Sequence, residues 1–214
     1  MQALDAALPP TDGLACFNRM YLDVTTQVDE RVRQGLFADP GFVAHLDVVF
    51  ANLYFAAVDS LTLQPEAGPA AWQPLLASRS TPGIEPIQFA LAGMNAHINH
   101  DLPLAVVTAC ADLSTAPEDG SHHADYQRID GLLDASEQAV RQSFESPDER
   151  SVDRHVAAVT SLVSTWSINA ARDVAWDEAV ALWQIREHPE VTALLTGALA
   201  RSVALVSRAL LIVV

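Results

Sequence analysis

Ile87–His100 reads IQFALAGMNAHINH and contains no Asp, Glu, Lys or Arg. Ile87, Leu91, Met94 and Ile98 recur at three and four and form one apolar stripe. Phe89, Gly93, Ala96 with His97, and His100 form a second. A helix that is apolar on every side is buried on every side. This stretch therefore predicts a central helix with other helices packed around it. Asp101-Leu102-Pro103 follows and reads as a break. Asp101 is expected to cap a new helix with Pro103 at its second position, running through Val106, Val107 and Cys110.

Outward from that centre the chain reads as helices joined by Pro/Gly loops, with no convincing strand alternation. Towards the N-terminus, Phe17, Met20/Tyr21, Val24, Val28 and Val32 give a helix from about Leu14 to Gly35. Asp39-Pro40 is a cap followed by a first-turn proline, and opens a second helix through Phe42, Leu46, Val49/Phe50, Leu53/Tyr54 and Val58. Gln64 to Pro86 holds five prolines and is expected to be a loop, tacked down by Trp72 and Leu75/Leu76. Towards the C-terminus, helices are expected from about His123 to Phe144, from Ser146-Pro147 through Trp166 and on or bending into Ile168 to Arg186, and from Val191 to Val213. No repeat or low-complexity tract divides the chain. The expected fold is all-α: one domain over residues 1–214, a bundle of about seven or eight helices around Ile87–His100.

The chain has 214 residues, long enough for a real core without disulfides or a structural metal. Its formal charge is −15, with 27 acidic residues against 12 basic ones, which argues against nucleic acid and anionic membrane surfaces. Every basic residue is Arg, so Schiff bases and the P-loop lysine are excluded. Cys16 and Cys110 lie in unrelated contexts, without zinc or redox spacing, and read as reduced thiols. The N-terminus MQALDAALPPTDG has acids where a leader would have basic residues. Ala204–Val214 is apolar, but Arg208 interrupts it and it is too short to span a bilayer. A soluble cytoplasmic protein is expected. Charged residues make up 18% of the chain, below the usual quarter, which points to an oligomer interface or an apolar cavity.

Four segments resemble an actinobacterial family of all-helical proteins, a domain of unknown function. They are LFADPGFVAHLDVVFANLYFAAV, IEPIQFALAGMNAHINHDLPLAVV, HADYQRIDGLL and ARDVAWDEAVALW, spread over residues 36–183. Gly93–Pro103, GMNAHINHDLP, is the most specific of them. The resemblance implies an all-helical single domain centred on His97 to Asp101, and it implies no particular reaction. Leu53 stands where a polar residue is expected from the family pattern.

Asn95, His97, Asn99, His100 and Asp101 concentrate five polar groups on an otherwise apolar helix. Each costs about 1–3 kcal/mol if buried without a partner, so each must bond to protein, water or ligand. His97 and Asp101 are four apart and share a face of a continuing helix. A carboxylate beside an imidazole fixes its tautomer and raises its basicity, which suits general acid/base work. The same pair could hold a divalent metal, with His123 and Asp125 as further ligands. A structural account stands beside both, with Asp101 a cap, Asn95 and Asn99 bonded to backbone, and His97 a satisfied core residue.

Around this cluster, Phe89, Met94, Tyr54, Tyr126, Trp166 and Arg172 are candidates to line an apolar substrate pocket. Asp47, flanked by Leu46 and Val48, reads as a buried charge that could pair with Arg172. Asn169, Asp173 and Asp177 have a spacing seen in magnesium–diphosphate sites. They lack a facing aspartate-rich motif and read as surface acids. No GxSxG, HExxH, paired ExxH or GxGxxG occurs.

The leading expectation is therefore an enzyme acting on a small, largely apolar metabolite by proton transfer without a cofactor, as an isomerase, cyclase or lyase. His97 would be the acid/base, Asp101 its orienter, and Asn95 or Asn99 a polarising donor, with His100 beside them. The alternatives are a metal-dependent hydrolase at His97/Asp101 and a non-catalytic helical module that binds a ligand or a second copy of itself.

Overall fold

The computed structural model describes residues 1–63, 68–131, 133 and 167–213. The fold is all-α, and no strand occurs among the described residues. A short α1 (Gln2–Ala7), which the sequence pattern does not reveal, precedes α2 (Gly13–Arg33) and α3 (Pro40–Leu63). Asp12 caps α2 by accepting from Leu14 N at 2.8 Å, and Asp39 accepts from Phe42 N at 2.9 Å at the start of α3. The proline-rich connection contains α4 (Gln73–Ser78), with Trp72 fully buried at its head.

The charge-free stretch forms α5 (Pro86–Ala96), and every residue from Ile87 to Ile98 is buried. The expected break after it is absent. His97–Asp101 is a π-helical turn that leads directly into α6 (Leu102–Asp112), so the chain stays helical from Pro86 to Asp112. Pro103 explains the widening. It has no N–H, and its ring would press on the carbonyl one turn back. A wider turn relieves that contact, and Leu102 N–H bonds five residues back to His97 C=O.

Helices α2 and α9 (Pro189–Leu210) flank α5, while α3 and α8 (Ile168–Ile185) flank α6. The π turn touches α3, α8 and α9 at the middle of the bundle. Gly93 permits one close approach of α5 to α2, since a Cβ there would sit 2.5 Å from the Phe17 ring. Gln88 locks the start of α5 to the end of α9. Its Nε2 donates to Leu210 O at 2.7 Å and Ile212 O at 2.9 Å.

The segment after the Ser/Gly loop forms α7 (His122–Arg128). The expected continuation is described only over residues 129–131 and at Leu133. The rest of it, to Phe144, and the expected helix through Trp166 lie outside the described residues. Pro40–Ser60 and Pro189–Leu210 are long and apolar enough to cross a membrane by length and composition. Both make polar contacts inside the bundle. Tyr54 of α3 donates to Asn18, and Ser207 of α9 accepts from Asn95.

Candidate functional site

The π turn directs His97, His100 and Asp101 inward together. Asp101 is 1% exposed and, although it stands at the N-cap position of α6, its side chain makes no capping hydrogen bond, which corrects the structural role expected from its place before Pro103. Its Oδ2 accepts from Trp72 Nε1 at 2.9 Å and lies 3.0 Å from His97 Nδ1. Its Oδ1 lies 2.7 Å from His100 Nδ1. Burial pushes the Asp101 carboxyl up, but the hydrogen bonds from His100 and His97 outweigh it and hold the group below its ordinary value. Asp101 is thus a carboxylate that can only accept, so both histidines present Nδ1–H to it.

That assignment leaves a lone pair on His97 Nε2. The atom is buried and has no hydrogen-bond partner among the described residues. Burial lowers the His97 pKa against the opposing pull of Asp101, so the ring is neutral near pH 7. Aromatic rings surround it. Phe50 stacks on it at 3.6 Å with 5° between planes, and Tyr21 meets it edge-on at 4.4 Å. Phe17, Tyr54 and Trp72 complete the enclosure at 5.7–6.1 Å.

His97 also forms part of the wall of a cavity of about 90 Å³ between α2, α3, the π turn and α8. Most of the lining is apolar, including Val24, Leu46, Phe50 and Met94. Besides His97, the polar groups on the wall are Tyr21, Thr25, Asp47 and Arg172. The Tyr21 hydroxyl and Thr25 Oγ1 are buried, and Thr25 lies beside the phenol without completing a hydrogen bond. Burial, with a contribution from Asp29, pushes the Asp47 carboxyl up to about 6.

Of the residues singled out from sequence, the structure brings His97, Met94, Arg172 and Asp47 to the cavity, with Asp101 behind His97. The others have different roles. Asn95 Nδ2 donates to Val203 O and Ser207 Oγ, both at 3.0 Å, and Asn99 Nδ2 donates to Asn95 Oδ1 at 2.9 Å. Both asparagines therefore tie the central helix to α9 and do not polarise a substrate in the cavity. Phe89 packs against Gly13 and lines a separate recess near Pro9. Tyr54 donates to Asn18 Oδ1 at 3.2 Å. Tyr126 donates to Arg172 O at 2.7 Å and carries the Arg172 guanidinium 4.0 Å above its ring. Neither tyrosine lines the cavity. Trp166 lies outside the described residues.

Arg172 pairs with Asp130 at 2.6 Å, not with Asp47. Asp47 has no ion pair among the described residues. The metal ligand set is also not assembled. His123 is exposed and stacks on Trp176 at 4.7 Å, while Asp125 bonds elsewhere. Among the described residues no three His, Cys, Asp or Glu side chains come together as a metal-binding group. Burial raises both thiols, Cys110 to about 11, so neither is a ready nucleophile. Asp173 and Asp177 are exposed, as surface acids should be.

A family model for a family of unknown function, DUF5995, matches residues 1–213. The chain belongs to the DUF5995 family. No curated protein and no solved structure was similar to it. What a DUF5995 protein does must therefore be argued from the site. Tyr21, Thr25, Asp47, Phe50 and Trp72 were not legible as site residues. Asp47 carried the one usable signal, a carboxylate flanked by Leu46 and Val48 on an apolar helix.

Proposed function

We propose that this DUF5995 protein is a cofactor-independent proton-transfer enzyme acting on a small, largely apolar molecule, as an isomerase, cyclase or lyase. His97 is the general base and then the general acid. Asp101 is a positioning residue that fixes the Nδ1–H tautomer and stabilises the imidazolium formed when Nε2 takes a proton. Trp72 and His100 hold Asp101 in turn. One observation carries the reading: His97 Nε2 is buried and unpartnered on a residue of the cavity wall, while Nδ1 is anchored to a carboxylate. A core histidine kept only for stability would have both nitrogens satisfied.

The cavity limits the substrate. A volume of about 90 Å³ is below the roughly 150 Å³ of a cavity that takes up benzene. The enclosed part of the substrate is smaller than a benzene ring, or is the apolar end of a longer molecule. We also infer a cytoplasmic location, an actinobacterial source, and that Gly93–Pro103 is the family's characteristic motif, because it contains the π turn and both members of the His–Asp pair.

A substrate need not be named for the test. The protein is incubated with a cell metabolite extract in D₂O and products are read by mass spectrometry. Wild type is expected to place deuterium on carbon in a metabolite of low polarity. His97→Gln is expected to melt like wild type and label roughly 10²–10⁴-fold more slowly, the range for one general acid/base. Equal labelling by the variant, or no labelling by wild type, overturns the assignment.

A second reading, association with another copy of the chain, is favoured by the outer face of α9. Val191, Leu194 and Leu205 lie on one stripe there, the two leucines 66% and 65% exposed. Light scattering on wild type and on Leu194→Glu/Leu205→Glu decides it. A dimer that the double variant dissociates supports the reading, and a wild-type monomer removes it.

A further inference from the structure

We infer that Tyr21 and Asp47 form a pocket for the oxygen atom of a small carbonyl compound, whose adjacent carbon exchanges a proton with His97. This rests on the proton-transfer reading and names the substrate class.

The geometry begins with two helical spacings. Tyr21 and Thr25 are four apart on α2, and Asp47 and Phe50 are three apart on α3, so each pair shares a face. Phe50 lies flat on the His97 ring, and Tyr21 stands edge-on to it. Tyr21 and Phe50 also meet at 5.8 Å. Asp47 therefore sits one helical turn from the ring that covers the base, on the wall of the same cavity. Tyr21 and Asp47 both line this one cavity of about 90 Å³.

The Tyr21 hydroxyl is buried and completes no hydrogen bond in this geometry among the described residues, with Thr25 Oγ1 beside it. A buried polar atom of this kind is stable only if something accepts its hydrogen bond, and an oxygen of a bound molecule would do so. Burial, the largest cause, holds the phenol well above its ordinary range, so it remains a donor whether or not Asp47 is charged. A protonated Asp47 supplies a second donor. An unpartnered nitrogen base thus shares an apolar cavity with two oxygen-directed donors.

Donors help a reaction only where charge develops on the atom they face. Removal of a proton from the carbon beside a carbonyl meets that condition. Nε2 takes the proton, the C–H electron pair becomes the enolate double bond, and the carbonyl electrons move onto oxygen between Tyr21 and Asp47. Return of the proton to the same carbon gives exchange. Return to a carbon conjugated with the enolate gives an isomer. Atoms and electrons balance without an oxidant or a cofactor.

Asp29 of α2 adds to the burial of Asp47, and the titratable and charged groups that share its cavity wall are Tyr21 from α2, His97 from the π turn and Arg172 from α8. Arg172 is already paired with Asp130, so it does not neutralise Asp47. Activity that needs a protonated Asp47 falls as pH rises above about 6. Activity that needs neutral His97 falls as pH drops through its lowered value. The expected profile is a bell on the acid side of neutrality.

The experiment follows α-hydrogen exchange of acetone and butanone in D₂O by proton NMR, with the full chain across pH. Wild type is expected to exchange both above the buffer rate. Tyr21→Phe and Asp47→Asn are each expected to lose roughly 10²-fold, the low end for one oxyanion donor, without a lower melting temperature. Asp47→Asn is also expected to flatten the alkaline limb near pH 6. Wild-type rates in both variants, with His97→Gln inactive, would overturn the oxygen pocket and leave the base in place. No ketone exchange by wild type, with labelling retained in the metabolite extract, would overturn the carbonyl class alone. Wild-type exchange in His97→Gln would instead remove the base on which both readings depend.

Discussion

Asp101 and Asp125 are both buried carboxylates held below their ordinary pKa, and they serve different ends. Asp125 accepts four hydrogen bonds: Ala38 N at 2.9 Å and Asp39 N at 2.7 Å, Ser121 Oγ at 2.9 Å, and the Arg128 guanidinium. These outweigh the upward push of burial. Two of the four donors are backbone amides at the entry to α3, so Asp125 fastens α7 to that entry. Among the described residues the network ends there. Asp101 accepts only from side chains, and one of them, His97, carries a second nitrogen that nothing satisfies. Low exposure and a shifted pKa are common to both sites. The distinguishing mark of a working site is the open valence one bond beyond the carboxylate.

The sharpest way to break that contrast is Asp125→Ala. Two backbone amides and a guanidinium lose their acceptor, and hydrogen bonds to a charged group contribute about 1.5–3 kcal/mol each. Partial exposure around Ala38 reduces the total, so a loss of roughly 2–4 kcal/mol is expected in urea unfolding. Proton-transfer rates per folded molecule should be unchanged. A rate defect at full folding would erase the distinction between the two carboxylates.

Trp72→Phe tests the other side. It removes one of three donors to Asp101, for an expected loss of about 1.5–3 kcal/mol, and the smaller ring leaves a void in a fully buried place that adds to it. Losing that donor leaves more of the Asp101 charge to the imidazolium, so the His97 pKa should rise and activity should fall at a higher pH than in wild type as the solution is acidified. An unchanged acid limb would mean that Trp72 packs against the site without tuning it.

The smallest expected effect has the opposite sign. Asp47 has no ion pair among the described residues, and its pKa rises from 3.8 to about 6 on folding. Its carboxyl is compatible with the fold while protonated, and stability is lost as pH rises from 3.8 through about 6. Asp47→Asn should therefore stabilise the protein at pH 7 by about 1–2 kcal/mol, a figure reduced for partial exposure. The gain should vanish below about pH 4. Stabilisation together with lost activity is the pattern of a group kept for chemistry. A neutral or destabilising effect at pH 7 would place Asp47 with the structural carboxylates.

The fold was legible because its decisive signal is local. Fourteen residues without a charge can only be interior, and the helices around them show their stripes at three and four. The continuity through Pro103 was not legible, because a proline after an aspartate has the same sequence whether the helix stops or widens. The His97–Asp101 pair was readable from its spacing of four, although Asp101 also fitted a cap. Tyr21 and Thr25 were hidden in the apolar face of α2, where a phenol has the same periodicity as a core residue. Phe50 and Trp72 were hidden likewise, since their places beside His97 depend on how α3 and α4 pack against the central helix. Local spacing does not encode that convergence.

The π turn has a consequence for the gene. A turn of five residues in place of four amounts to one extra codon lodged in the middle of a continuous helix. Deleting one residue from Ile98 to His100 would restore an uninterrupted α-helix on paper. It would also swing Leu102–Asp112 by about 100° around the axis. The α6 face that now meets α3 and α8 would turn away from them, and Asp101 would leave the nitrogen that it orients. Substitutions can therefore drift through this segment one side chain at a time, whereas a change of length by a single residue would remove the fold and the chemistry together.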